Sequence, residues 1–303
     1  MKHVASIDVG SNSVVLSICE LKNNQLSEIK HMSFVTRLGK DLESNQRFCD
    51  DSIKETLNAF RAIKEALIEF NVSETDLYVV ATEASRVASN RTDLFKSLED
   101  LIGVKPELVS GEKEAQLCLL GQRFLNENMK RVILVDIGGA STEIIDGEVL
   151  GNRVVSKYIN SFKTGVVKLK DLHSVEKVKL TLEEVFFDLD DEFFKGNKIF
   201  FSAGTMTAFA SMLLRDQFVD HDKINGLCLN SDFISAEIAK FVNMADNLLL
   251  REFPQLGKRV ETIKYGLLLI DFFIRNKSLE EMVFTTYGLR HGVLIERCFS
   301  NGT

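Results

Sequence analysis

Two stretches of this chain repeat one another. Residues 5–18 carry Asp8-Val9-Gly10-Ser11-Asn12-Ser13 between two apolar runs, and residues 133–146 carry Asp136-Ile137-Gly138-Gly139-Ala140-Ser141-Thr142-Glu143 in the same setting. Each copy reads as a strand, a tight turn rich in glycine and hydroxyls, and a second strand. Asp8 and Asp136 open the two turns, 128 residues apart in a chain of 303. A repeat on that scale predicts two related domains rather than one. A carboxylate at a strand end, beside a turn with exposed N–H groups, suits the holding of a metal-bound phosphate chain. Two such turns facing one another would grip phosphates from both sides.

The intervening pattern supports an α/β class. Residues 3–9, 13–21 and 27–35 read as three strands. Ile53, Leu57, Phe60, Ile63, Leu67 and Phe70 recur at helical spacing over 52–70. A strand at 76–82, two helical stretches, a short strand at 107–109 and a helix over 112–126 complete the first half. From Arg131 the pattern restarts, with a third strand near 153–159, a buried-looking strand at 198–202, two long helices over 231–250 and 257–275, a strand at 282–285 and a closing helix from Leu289. The order β-β-β-α-β-α, twice, implies layered α/β domains. The boundary falls in a helix near Gly121, giving domains 1–121 and 122–303 with a cleft between them. The final helix, about 292–303, is expected to pack back on the first domain.

Bulk properties narrow the classes. The net charge is −7, from 37 basic and 44 acidic residues, which argues against a general nucleic-acid binder. A local basic cluster on an acidic protein still accommodates an anionic ligand. Five cysteines, at 19, 49, 118, 228 and 298, form no CxxC pair and fit reduced thiols in a cytoplasmic protein. No leader is expected at the N-terminus, and the apolar runs are too short to span a bilayer.

Several further stretches sharpen the reading: Thr36-Arg37-Leu38-Gly39, the run Ala81–Asn90, Ser110-Gly111-Glu112-Lys113-Glu114-Ala115, Ser161–Leu169, Arg259 with Ile263 and Gly266, and Tyr287–Gly292. With the two Asp-led turns, these resemble, in order, the motifs of the exopolyphosphatase/guanosine pentaphosphate phosphohydrolase (Ppx/GppA) family, within the actin-like ATPase, sugar kinase and Hsp70 superfamily. The resemblance covers nearly the whole chain and is closest to short members with two phosphatase domains. It implies two duplicated actin-like (ribonuclease H-like) domains with an interdomain cleft. It also implies a Mg²⁺-dependent phosphohydrolase, with Mn²⁺ as an alternative ion, acting on polyphosphate or guanosine pentaphosphate. No nucleic acid or membrane partner is implied; members of the family are often dimers, so the resemblance allows a homodimer, and the sequence itself does not give the oligomeric state. Three positions depart from the family pattern. Ala140 replaces a third glycine and is expected to narrow its turn, Ala203-Gly204-Thr205 replaces Gly-Gly-Thr, and Tyr265 replaces a proline before Gly266.

Within that frame each candidate residue receives a role. On local sequence alone Glu114 reads first as an acidic residue stabilised by a helix start; the family places its catalytic base at this position, and the resemblance reverses that preference. Asp136 is expected to hold the metal, Glu143 to support metal or water, and Asp8 to be the matching acid of the first domain. Ser11, Asn12, Ser13, Gly138, Gly139, Ser141 and Thr142 are expected to donate hydrogen bonds to phosphate oxygens, although a ligand-free hairpin would use similar residues. Arg86 is the candidate cation over the reacting phosphate. Arg37, Arg91, Lys163, Lys168 and Arg259 form a looser basic track, each alone also readable as a surface charge, and Arg290 is read as structural.

Other features are declined. His221-Asp222 lacks the partners of a metal site. The 22 phenylalanines read as core. Two rival functions remain: an alarmone- or polyphosphate-binding regulator with little turnover, and a phosphotransferase of the same superfamily.

Overall fold

The computed structural model of the chain describes residues 1–126, 129–151, 153–190 and 193–299. It divides into two compact units. Unit 1 comprises Met1–Asn128, Leu150–Val154 and Gly288–Thr303; unit 2 comprises Met129–Val149 and Val155–Tyr287.

Unit 1 contains β1 (Lys2–Val9), β2 (Ser13–Lys22), β3 (Gln25–Val35), α1 (Leu42–Asn45), α2 (Asp50–Glu69), β4 (Leu77–Ala81), α3 (Glu83–Val87), α4 (Arg91–Ile102), β5 (Glu107–Leu108) and α5 (Gly111–Gly121). Its sheet has the order β3-β2-β1-β4-β5. β1 pairs antiparallel with β2 and parallel with β4. Val4, Ala5, Ile7 and Val9 of β1 are all buried, the near-continuous apolar run expected of a strand covered on both faces. α2 lays Ala59, Phe60, Ile63, Ala66 and Leu67 into the core, while Asp50 and Asp51 in its first turn complement the helix dipole.

Unit 2 contains β6 (Arg131–Ile137), β7 (Thr142–Leu150), β8 (Arg153–Phe162), α6 (Val166–Lys170), α7 (Val175–Val185), β9 (Ile199–Ser202), α8 (Gly204–Leu213), α9 (His221–Ile224), β10 (Cys228–Asn230), α10 (Ser231–Asn243), α11 (Asp246–Glu252), α12 (Ile263–Asn276) and β11 (Glu281–Phe284). Its sheet has the order β10-β11-β9-β6-β7-β8. Omitting the edge strand β10, this repeats the order of unit 1, with β6 in the place of β1 and β9 in the place of β4. Both units are therefore copies of one mixed α/β topology. The core of unit 2 is aromatic: the rings of Phe186 and Phe194 lie 5.1 and 5.4 Å from that of Phe273.

The closing helix, α13 (Leu289–Phe299), is part of unit 1. Three boundaries differ from expectation. Unit 1 continues past Gly121 because Gln122–Phe124 prolongs α5 as a 3₁₀ turn, and the Phe124 ring stacks edge-on against His291 of α13 at 4.8 Å. The helix expected over 231–250 is two helices, because Met244 and Ala245 take extended backbone between α10 and α11. The helix expected from 257 begins at Ile263, since Gly257 has φ 49° inside a 3₁₀ stretch, Pro254–Glu261. Among the described residues, no helix is long and apolar enough to cross a membrane.

Candidate active site

The two Asp-led turns close in the same way. Gly10 N–H donates to Ser13 C=O at 3.0 Å, and Gly138 N–H donates to Ser141 C=O at 3.0 Å. Each turn is also buttressed by the segment that follows the third strand of its sheet. In unit 1, Thr36 and Arg37 N–H both donate to Asn12 C=O at 3.0 Å, and Gly39 N–H donates to Ser11 C=O at 2.7 Å. In unit 2, Val166 N–H donates to Gly138 C=O at 3.1 Å and Val167 N–H to Gly139 C=O at 2.9 Å. Gly165 lies so close to the turn that a Cβ there would stand 2.6 Å from Gly138 and Gly139 backbone atoms. With these carbonyls engaged from behind, the turn backbone is fixed by its own chain.

The side chains on the turns differ in availability. Ser11, Asn12, Ser13, Gly138 and Gly139 are half-buried, and Ser141 is 8% exposed. Thr142 is fully buried, and its hydroxyl donates to Thr164 C=O at 2.6 Å, tying β7 to the segment leading to Gly165. Ala140 is not among the residues with positive φ, so its Cβ imposes no left-handed strain on the turn.

The acids repeat only in part. Asp8 pairs across the strands with Val15, whereas Asp136 pairs with Glu143. Directly opposed residues of an antiparallel pair share a face, with Cβ atoms roughly 5 Å apart. Asp136 and Glu143 are therefore two half-buried carboxylates side by side. Ser202 Oγ, on the parallel neighbour β9, donates to Asp136 Oδ2 at 2.9 Å, and Ser161 Oγ donates to Glu143 Oε1 at 2.7 Å. Neither serine was given a role from the sequence, although Ser161 opens one of the stretches that carry the family resemblance. The available signal for Ser202 was a hydroxyl ending the strand that runs beside β6.

Arg86 and Glu114 meet in unit 1. Arg86 sits in the last turn of the short helix α3, and Glu114 in the first turn of α5, whose start is capped by Ser110 Oγ accepting from Lys113 N–H. Arg86 Nη1 donates to Glu114 Oε2 at 2.9 Å and to Val109 C=O at 2.9 Å. Both side chains retain 30% exposure, enough to reach a ligand and too little for free rotation in water. Arg91 Nη1 donates to Arg86 C=O at 3.3 Å, bracing α3 instead of presenting its charge outward.

Arg259 is half-buried, and its Nη2 would lie 3.0 Å from a Cβ on Gly204, the first residue of α8. Burial holds its guanidinium below the usual arginine range. A cation at a helix start is electrostatically disfavoured without an anion nearby. Ala203, immediately before α8, adopts φ 78° and ψ 170°, a region that glycine favours. Arg37 is exposed and left-handed at φ 55°, Lys163 is exposed, and Lys168 lies on α6. Arg290 is structural: its Nε donates to Ser17 Oγ at 2.7 Å. Asp220 caps α9, the four-residue helix that carries His221 and Asp222.

Residues 15–300 match the family model described as the Ppx/GppA phosphatase family. The chain is 32% identical to exopolyphosphatase 2 of Mycobacterium tuberculosis over 197 residues, covering 61% of this chain and 59% of that protein. It is 28% identical to the guanosine-5′-triphosphate,3′-diphosphate pyrophosphatase of Pseudoalteromonas atlantica over 169 residues, covering 56% of this chain and 32% of that one. These matches span about a third to three-fifths of the relatives' own length. The crystal structure of the Aquifex aeolicus member of the Ppx/GppA family superposes with a TM-score of 0.80 at 26% identity, covering 100% of this chain and 99% of that one.

Proposed function

This chain belongs to the Ppx/GppA phosphatase family, and from that premise we propose that it releases terminal orthophosphate from a phosphoanhydride, either inorganic polyphosphate or the 5′-phosphate of guanosine pentaphosphate. The observation that carries this reading is the repeated turn, closed at 3.0 Å in both units and held from behind by its own chain. A turn fixed in that way presents its remaining N–H groups to phosphate oxygens without rearrangement.

Hydrolysis needs more than binding. A carboxylate must orient or deprotonate water in line with the leaving oxygen, and a cation must absorb the charge that develops on the phosphoryl group. Glu114 supplies the carboxylate and Arg86 the guanidinium. Their 2.9 Å contact keeps both in one place. Arg259, set against Gly204 at the start of α8 with its guanidinium largely buried, suits a further phosphate of a long polyanion.

The donor set fits a hard divalent cation such as Mg²⁺ or Mn²⁺. Asp136 and Glu143 are oxygen ligands opposed on one sheet face, where two negative charges repel unless a cation lies near. They would hold the ion, which supplies charge neutralisation of phosphate oxygens. Asp8 opposes Val15 and offers one carboxylate. Five free thiols suit a reducing, cytoplasmic setting.

The test is orthophosphate release from polyphosphate, guanosine pentaphosphate and ATP, with and without Mg²⁺. Release from one of the first two, dependent on the cation, supports the reading. Release only when a sugar or acid acceptor is present would make the protein a phosphotransferase. Tight binding of either polyanion with no release would make it a regulator.

A further inference from the structure

The helix that carries Glu114 is held by the last helix of the chain. α5 meets α13 and Gly288, the residue just before it, through backbone at two places. A Cβ on Gly292 would stand 1.9 Å from Leu117 C=O, and a Cβ on Gly121 would stand 2.3 Å from Gly288 C=O. Two salt bridges flank these contacts: Lys113 Nζ with Glu296, and Arg297 Nη2 with Glu107 of β5. Lys113 is the residue before Glu114. β5 is followed by Val109, whose carbonyl accepts from Arg86.

The other side of α13 is fixed to the sheet. Ser6 Oγ of β1 donates to Arg290 C=O at 2.8 Å, Arg290 Nε donates to Ser17 Oγ of β2 at 2.7 Å, and His291 Nε2 lies 3.3 Å from Glu28 Oε1 of β3. α13 is thus a spacer between a rigid sheet and the helix bearing the carboxylate.

We propose that Gly292 is a positioning residue, and that the backbone contact it permits with Leu117 sets where Glu114 stands relative to Arg86. This inference rests on the catalytic roles proposed above for those two residues. An added methyl at Gly292 needs about 1.5 Å of retreat by α5 or α13 to reach ordinary contact. A misplacement of about 1 Å at a reacting group costs on the order of 10²-fold in rate. Surface salt bridges alone are too weak to set that distance.

The test compares Gly292→Ala with Gly288→Ala, since a Cβ on Gly288 meets nothing within 4 Å. Two quantities are read: steady-state phosphate release, and hydrogen exchange of the Glu114 amide, which donates to Ser110 C=O at 2.9 Å. Gly292→Ala is expected to lower kcat at least tenfold with KM within threefold of wild type, and to speed exchange over 113–117. Gly288→Ala should change neither. A folded Gly292→Ala protein with both quantities within twofold of wild type overturns the proposal. If Gly292→Ala does not fold, Gly121→Ala decides by exchange alone, since its Cβ would stand 2.3 Å from Gly288 C=O, with faster exchange at Lys113–Ala115 supporting the spacer role and unchanged exchange ending it. A wild-type protein that releases no phosphate from any substrate defeats the proposed hydrolase while leaving the exchange comparison intact.

Discussion

Arg86 Nη1 lies 2.9 Å from Glu114 Oε2 and 2.9 Å from Val109 C=O, so one guanidinium nitrogen joins the start of α5 to the end of α3. A phosphoryl group arriving at Arg86 would compete with Glu114 for the same N–H groups and leave that carboxylate available to water. Arg86→Ala is expected to lower kcat by about 10²–10³-fold, the usual cost of removing a donor aimed at developing charge. Arg86→Lys should recover only part of the loss, because an ammonium lacks the planar fork. Steady-state phosphate release checks both, and an Arg86→Ala protein within threefold of wild type would contradict the role.

Asp136 and Glu143 are cross-strand partners, and their charges oppose one another without a cation. Glu143→Gln should therefore have opposite effects on two measurements. The Mg²⁺ concentration for half-maximal activity should rise about tenfold, the low end for loss of a ligand-supporting group. Metal-free stability should rise slightly, by about 0.5 kcal/mol, as the repulsion is relieved. Metal titration of activity and urea unfolding in chelator read the two effects. An unchanged Mg²⁺ requirement would remove Glu143 from the cation site.

Ala203 bears φ 78° and ψ 170° just ahead of α8. Such a conformation costs a non-glycine residue about 1–3 kcal/mol, part of which glycine would return as unfolded-state entropy. Ala203→Gly is expected to stabilise the protein by about 1 kcal/mol. Equal or lower stability in urea unfolding would show that the backbone here is not strained.

The cluster anchoring α13 makes stability depend on acid. Burial alone would raise the Glu28 carboxyl, but bonding from His291 and His31 and the charge of Arg290 overcome it and hold Glu28 far below its ordinary 4.5. A group whose folded pKa is depressed stabilises fully above its unfolded pKa and loses that contribution as pH falls further. His31 acts in the same direction, since burial first, and then the Arg290 and His291 charges, lower its pKa from 6.5 against the pull of Glu28. Stability should decline modestly as pH drops through about 6.5 and more steeply below about 4.5. Glu28→Gln should cost about 3 kcal/mol at neutral pH, as removal of one partner from a buried charged pair does, and flatten the limb below pH 4.5. Urea midpoints measured from pH 7 to 3 test this, and parallel profiles for wild type and variant would contradict it.

Much of this arrangement was legible before any coordinates. The duplicated Asp-led segments gave both turns, because a strand–turn–strand is encoded within a dozen neighbouring residues. What escaped was long-range or conformational. The Thr142 hydroxyl meets Thr164 C=O only through the fold. Arg86 and Glu114 are 28 residues apart, and nothing local says that they touch. The sequence reading expected Ala140 to narrow its turn and assigned Ala203 no conformational effect, yet the positive φ belongs to Ala203, because strain follows the path of the backbone into α8 and not the count of glycines. The 231–250 segment read as one helix because its apolar spacing continues through Met244, where the backbone extends. β10 was missed because Cys228–Asn230 is too short to show alternation.

The central claim is that the Glu114 carboxylate activates water against a terminal phosphoryl group. Glu114→Gln keeps the size of the side chain and a hydrogen-bond acceptor for Arg86 while removing the base. Orthophosphate release by this variant, measured on the substrate that wild type prefers and in saturating Mg²⁺, should fall by about 10²–10⁴-fold with substrate binding retained. Turnover within about tenfold of wild type would show that the base is another group.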